Sequence, residues 1–148
     1  MQISYHGDWV PGTDLYIHVH WSHNGTAITG TGTFSSTVAH SYAKGYDQAS
    51  FTAEETLTCA DTNVTTANTP QYRHKITEIQ LSGSGGTGGL LDTEILEIDG
   101  LIFVNFTLDT IPTITGGTTA EPFIHFVDIH YQSTQLATKA RNGPAFYT

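Results

Sequence analysis

The chain has 148 residues and a mass of 16.0 kDa, a length that suits one domain with a core of its own. Fourteen acidic residues against five basic ones give a net charge of −9, so we expect no direct nucleic-acid partner, because phosphate contacts need a basic patch. No stretch approaches the length of a membrane span, and the lone Cys59 cannot form an intrachain disulfide.

The first clear element is a strand over residues 14–21. Its side chains alternate strictly, which places the residues of one parity on a core face and the others on a polar or interface side. The core face holds Leu15, Ile17, Val19 and Trp21, and the opposite face holds Tyr16, His18 and His20.

Later segments repeat this short alternating rhythm, and none has the apolar spacing of a helix. Further strands are predicted over residues 26–35, 51–59, 72–81, 90–98, 101–110 and 123–132. Residues 82–89 are rich in Gly and Ser and predict a surface loop. Asp99-Gly100 predicts a tight hairpin between its flanking strands. The strand over 101–110 is apolar on both faces, so we expect it to lie deep, between sheets or between subunits.

This strand count favours an all-β domain, a β-sandwich of jelly-roll type. We expect residues 1–132 to form the sandwich and residues 133–148 to form an extended C-terminal tail. The tail ends in Phe146 and Tyr147, and aromatic residues at a terminus are usually held against something. We expect these two aromatic residues to pack against a neighbouring subunit.

The sharpest chemical pattern is His18-x-His20, because two histidines at this spacing on a strand share a face and could bind one metal. Gly12, five residues and then His-x-His resemble the opening of the first cupin motif. The glutamate that should follow is replaced at Asn24 and Gly25, although His130 could supply a third ligand. A cupin-like metal-dependent enzyme is therefore an alternative. The favoured hypothesis is a polar or interface role with no metal and no cofactor.

Nothing else in the sequence predicts catalysis. No Gly-x-Ser-x-Gly elbow exists, and Cys59 has no neighbouring charge that would activate it. We therefore expect no enzymatic activity.

Two segments carry a family resemblance. Asp-Leu-Tyr-Ile-His-Val-His-Trp at 14–21 resembles the Asp-Leu-Tyr-x-His-x-His-Trp signature of a group of tailed-phage structural proteins, and Asp-Ile-His-Tyr-Gln at 128–132 resembles their second block. The residues after these, with Pro-Ala-Phe-Tyr at 144–147, look like the tail of podovirus-type members.

The resemblance implies a jelly-roll cement or decoration protein that trimerises on the exterior of a phage capsid. Its partners would be two further copies and the major capsid protein. The chain shows no signal-peptide pattern, so we expect synthesis in the host cytoplasm. The interface candidates are Tyr16, His18, His20, Leu101, Phe103, His130, Phe146 and Tyr147.

An alternative within the virion is a tail or head-fibre protein that binds host glycans. Sugars stack on exposed aromatic rings. Trp9 and Tyr46 are the candidates for this contact.

Overall fold

A computed structural model describes residues 2–4, 9–46, 48–97 and 99–133. Nearly all of its regular structure is β, with one 3-10 segment at Ser84–Gly89. The strands, in chain order, are β1 (Gln2–Ser4), β2 (Leu15–Ser22), β3 (Ala27–Ile28), β4 (Gly32–Ala43), β5 (Glu55–Val64), β6 (Lys75–Gln80), β7 (Ser82–Gly83), β8 (Leu91–Asp92), β9 (Leu101–Thr110), β10 (Ile114–Thr115) and β11 (Phe123–Tyr131).

Two antiparallel sheets hold the long strands. One has four strands in the order β1-β9-β4-β5, and the other has three in the order β11-β2-β6. The short strands form two further pairs, β10 with β3 and β7 with β8. Within the part of the chain that the structure describes, the second edge of β11 pairs with no strand.

The core lies between the two sheets, as the alternation of β2 predicts. Leu15, Ile17, Val19 and Trp21 are all fully buried. The four-stranded sheet contributes alternate residues from each of its long strands to the same cluster: Phe34, Val38, Tyr42, Leu57, Cys59, Ile102 and Val104. The predicted all-β, sandwich-like fold is therefore confirmed.

The predicted hairpin at Asp99-Gly100 is wrong. The segment before it forms only the two-residue strand β8, which pairs with β7 and not with β9. Gly100 instead lies against the ring of Tyr42, where a Cβ atom would clash with the hydroxyl oxygen. The Tyr42 hydroxyl also accepts a hydrogen bond from the backbone N–H of Glu97, at 2.9 Å. Contacts with Tyr42, and not a hairpin turn, therefore determine the course of the backbone before β9.

Other strand boundaries also differ from expectation. The predicted strand over 26–35 divides into β3 and the start of the much longer β4. The predicted strand over 51–59 begins later, at Glu55, and continues to Val64. In the predicted loop over 82–89, Ser82 is fully buried, and its hydroxyl accepts a hydrogen bond from the backbone N–H of Leu15 at 2.8 Å.

Strand β9 is buried on one side only. Ile102 and Val104 are fully buried in the core, whereas 44% of Phe103 is exposed. The expectation that this strand lies between sheets is wrong, and its alternative, a position between subunits, stays a prediction. Among the described residues, no helix is long and apolar enough to cross a membrane.

Candidate metal centre

The outer face of the three-stranded sheet is rich in histidine. Because Leu15, Ile17, Val19 and Trp21 fill the core side of β2, its intervening residues turn away from the core. Strands β6 and β11 add residues to this face through their register with β2. The face comprises Tyr16, His18 and His20 from β2, Ile76, Glu78 and Gln80 from β6, and Phe126, Asp128 and His130 from β11.

The register of β2 and β11 brings four potential metal ligands together. Asp128 lies directly opposite His18, and His130 lies opposite Tyr16. One ligand atom from each of His18, His20, Asp128 and His130 lies within 4.8 Å of every other. Two residues at i and i+2 on each of two paired strands therefore converge on one point above the sheet.

His18 is oriented from two sides. Its Nε2 lies 2.6 Å from Oε2 of Glu78, its cross-strand neighbour on β6. Its ring stacks on that of His130, with ring centroids 3.7 Å apart and 26° between the planes. A carboxylate that accepts the Nε2 proton leaves the lone pair of a neutral imidazole on Nδ1.

His20 is the centre of a chain of contacts. Its Nδ1 lies 2.6 Å from Nε2 of His74, and its Nε2 lies 3.0 Å from Oδ1 of Asp128. The ring of Phe126 covers it, with ring centroids 4.0 Å apart. The other carboxylate oxygen of Asp128, Oδ2, lies 3.3 Å from Nε2 of His130.

The four residues differ in burial. The side chains of His18 and His20 are 10% and 7% exposed, whereas those of Asp128 and His130 are 38% and 49% exposed. Two ligands are thus fixed by their surroundings, and two can adjust their side chains at the surface.

Sequence reasoning identified His18, His20 and His130, and the structure brings these three together. It missed Asp128, Glu78 and His74. The spacing of Asp128 and His130 was a usable signal, because residues at i and i+2 share a strand face. Glu78 could not be found in this way, since its position depends on the register of β6 with β2. His74 immediately precedes β6, so its approach to His20 depends on the same pairing of distant segments.

The four ligands lie outside the core. A cupin-like centre needs its ligands inside the barrel, but the inward side of β2 is filled by Leu15, Ile17, Val19 and Trp21. The histidine cluster is a surface site between two strands. No described cysteine offers an activated nucleophile either, because burial raises the pKa of the Cys59 thiol to about 11.

The outer face of the four-stranded sheet has a different character. Cross-strand pairs place uncharged and mostly small side chains across β5, β4 and β9. This uncharged face comprises Thr37, Ala39, Ser41, Ala43, Thr56, Thr58, Leu101, Phe103, Asn105 and Thr107. Asp109 lies at one end of it, where it accepts a hydrogen bond from the Thr37 hydroxyl at 2.8 Å.

The interface candidates divide between these two surfaces. Tyr16, His18, His20 and His130 lie on the histidine-rich face, and Leu101 and Phe103 lie on the uncharged face of the other sheet. Phe146 and Tyr147 lie outside the described residues.

The glycan-contact candidates also divide. Trp9 is only 1% exposed, so the expectation that it stacks on sugars is wrong. Tyr46 is 85% exposed and keeps an accessible ring.

Comparison with protein-family models, with curated proteins and with solved structures found no match to this chain.

Proposed function

We propose that the chain is a non-enzymatic structural protein of a tailed-phage virion, assembled as a homotrimer on the capsid exterior and bound to the major capsid protein. The observation that carries this proposal is the uncharged face of the four-stranded sheet. A chain of net charge −9 repels copies of itself, and an interface that carries a charged group only at one end limits that repulsion. The cores of protein interfaces are likewise depleted of charge and enriched in aromatic residues.

Phe103 is the expected anchor of this interface. It projects from β9 opposite Ser41 of β4 and is 44% exposed in the single chain. Contact with a second copy would bury this apolar area, and such burial stabilises the complex by about 25 cal/mol per Å². Its small neighbours Ser41 and Ala43 leave room for a partner to approach closely.

The strand order supports a jelly roll as the architecture. With the eight strands of a jelly roll lettered B to I, its sheets have the orders B-I-D-G and C-H-E-F. The order β1-β9-β4-β5 corresponds to C-H-E-F, and β11-β2-β6 corresponds to I-D-G. Only strand B lacks a counterpart among the described strands. Its place would be the open edge of β11, and an open edge is a template for pairing with another chain.

The family resemblance agrees with this geometry. Its two segments, residues 14–21 and 128–132, are far apart in sequence, but β2 and β11 pair in register. They therefore form one patch.

Labelling of virus particles tests the proposal. An antibody against the recombinant chain, applied to purified particles of the phage whose genome encodes it, should decorate the heads in electron micrographs. A chain that lacks residues 133–148 should remain folded by circular dichroism and lose its binding to capsids. Particles without label, or capsid binding unchanged by the deletion, would contradict the proposal.

A second candidate is a head- or tail-fibre protein that binds host glycans. The exposed rings of Tyr46 and Tyr72, at 85% and 74%, favour it. A glycan array would show binding that the substitutions Tyr46→Ala and Tyr72→Ala abolish. An array without signal would reject this candidate.

A further inference from the structure

We propose that His18, His20, Asp128 and His130 bind one divalent first-row transition metal, with zinc as the expected ion. This inference concerns the histidine-rich face and does not depend on the proposed virion role.

The ligand set determines the class of metal. Three imidazoles and one carboxylate suit zinc and its first-row neighbours, whereas calcium and magnesium prefer oxygen ligands. Four protein ligands complete a tetrahedral zinc site. No coordination position is then left for a substrate, so the expected role is structural and not catalytic.

Groups around the cluster would orient two of the ligands. A metal-bound histidine usually donates its other ring N–H to a carboxylate or another acceptor, which fixes the ring and its tautomer. Glu78 accepts from Nε2 of His18, which assigns Nδ1 of His18 to the metal. His74 contacts Nδ1 of His20, which assigns Nε2 of His20 to the metal.

Binding requires the ligands to move closer together. Tetrahedral zinc with bonds of about 2.0–2.1 Å places its ligand atoms roughly 3.4 Å apart. Here they lie within 4.8 Å of one another, and the Asp128 oxygens already lie 3.0 Å from His20 and 3.3 Å from His130. The exposed side chains of Asp128 and His130 can make the remaining adjustment while buried His18 and His20 stay in place.

The metal would cross-link the two strands that carry its ligands. β11 is an edge strand in the described part of the sheet, and β2 is the one strand with which it pairs there. A ligand that binds only the folded state stabilises it by mass action. The site would therefore fasten this edge strand to its neighbour in the sheet.

Titration with Co²⁺ and Zn²⁺ tests the site, using the full chain purified without an affinity tag and stripped with a chelator. The variants Asp128→Asn and His130→Gln each remove one ligand. His125→Gln is the matched control, because His125 is an exposed histidine of β11 that contacts Ser22 and the edge of the His74 ring but is not one of the four ligands. Glu78→Gln weakens an orienting contact. Circular dichroism checks that each variant is folded.

The wild-type chain and His125→Gln should bind one Co²⁺ per chain with the intense visible absorption of a tetrahedral site, and Zn²⁺ should displace it. Glu78→Gln should weaken binding by about 10- to 100-fold. Asp128→Asn and His130→Gln should weaken it further, and Zn²⁺ should no longer raise their Tm. Lack of stoichiometric binding by the wild type, or equal binding by all variants, would overturn the inference. Particle labelling would be unaffected by either result, so the two proposals can fail separately.

Discussion

Trp21 of β2 and Phe34 of β4 stack face to face across the sandwich, with ring centroids 4.4 Å apart and 6° between the ring planes. Each residue belongs to a different sheet, and each is fully buried. The pair is therefore a direct aromatic contact that joins the two sheets.

Loss of this contact should destabilise the fold. Truncation of a buried Phe leaves a cavity, so Phe34→Ala should lower the free energy of unfolding by about 3–5 kcal/mol in urea titrations. Phe123→Ala is the matched control, because Phe123 is 46% exposed. A similar loss in both variants would contradict the role of the stack.

The Trp21 indole also depends on one hydrogen bond. Its Nε1–H donates to the hydroxyl oxygen of buried Thr77 on β6, at 3.0 Å. Thr77→Val keeps the volume but leaves the indole N–H without this acceptor, which should cost about 1–3 kcal/mol. Thr62→Val, at an exposed position of β5, should change stability by less than about 0.5 kcal/mol. Equal effects at the two positions would show that the hydrogen bond is unimportant.

His40 should make stability sensitive to mild acid. Burial lowers the pKa of His40, although Gly89, whose carbonyl oxygen accepts from its Nε2 at 2.7 Å, partly opposes this, as do the carboxylates of Glu55 and Glu54. Because the folded-state pKa is lowered, neutral His40 makes a contribution to the free energy of unfolding that is fully present above the unfolded-state pKa of about 6.5. This contribution is lost as the pH falls below that value.

Between about pH 6.5 and 5, the free energy of unfolding of His40→Gln should therefore fall less steeply with decreasing pH than that of the wild type. One protonation contributes at most about 1.4 kcal/mol per pH unit to this slope. Identical slopes in the wild type and in His40→Gln would contradict this explanation.

Cys59 should be unreactive in the folded protein. Burial raises the pKa of its thiol to about 11, and the neighbouring Ser36 side chain lowers it only in part. Since the thiolate is the reactive form, Ellman's reagent at pH 8 should label the chain only after unfolding in urea. The raised pKa also means that the free energy of unfolding should fall as the pH rises from 9.0 toward about 11. Rapid labelling of the native protein would contradict the observed burial.

The sequence predicts the strands in which apolar and polar residues alternate regularly. β2 follows its predicted faces residue by residue, since every inward position is apolar. β4, the longest strand, was mostly missed because Ser36 and His40 occupy two of its inward positions and interrupt the apolar pattern. Conversely, the Asp99-Gly100 turn signal favoured a flanking strand over 90–98, but Leu91 reaches the core from β8 and Leu96 from the segment after the turn that follows β8.

The candidate metal centre shows the same limit. His18 and His20 could be placed on one face from their spacing alone. Asp128 joins them only through the pairing of β11 with β2, and Glu78 only through the pairing of β6 with β2. Register between strands distant in sequence depends on the whole sandwich, so these contacts could not be read from local patterns.

Assembly through the uncharged face is the central claim, and the solution mass measured by light scattering after size exclusion tests it most directly. We expect the wild-type chain to form a trimer, three times 16.0 kDa. Asn105→Lys should reduce this to the monomer mass by placing a charge on that face. Ala67→Lys, with the same charge change on an exposed turn, should stay trimeric. A monomeric wild-type chain, or a trimer that Asn105→Lys leaves intact, would contradict the account.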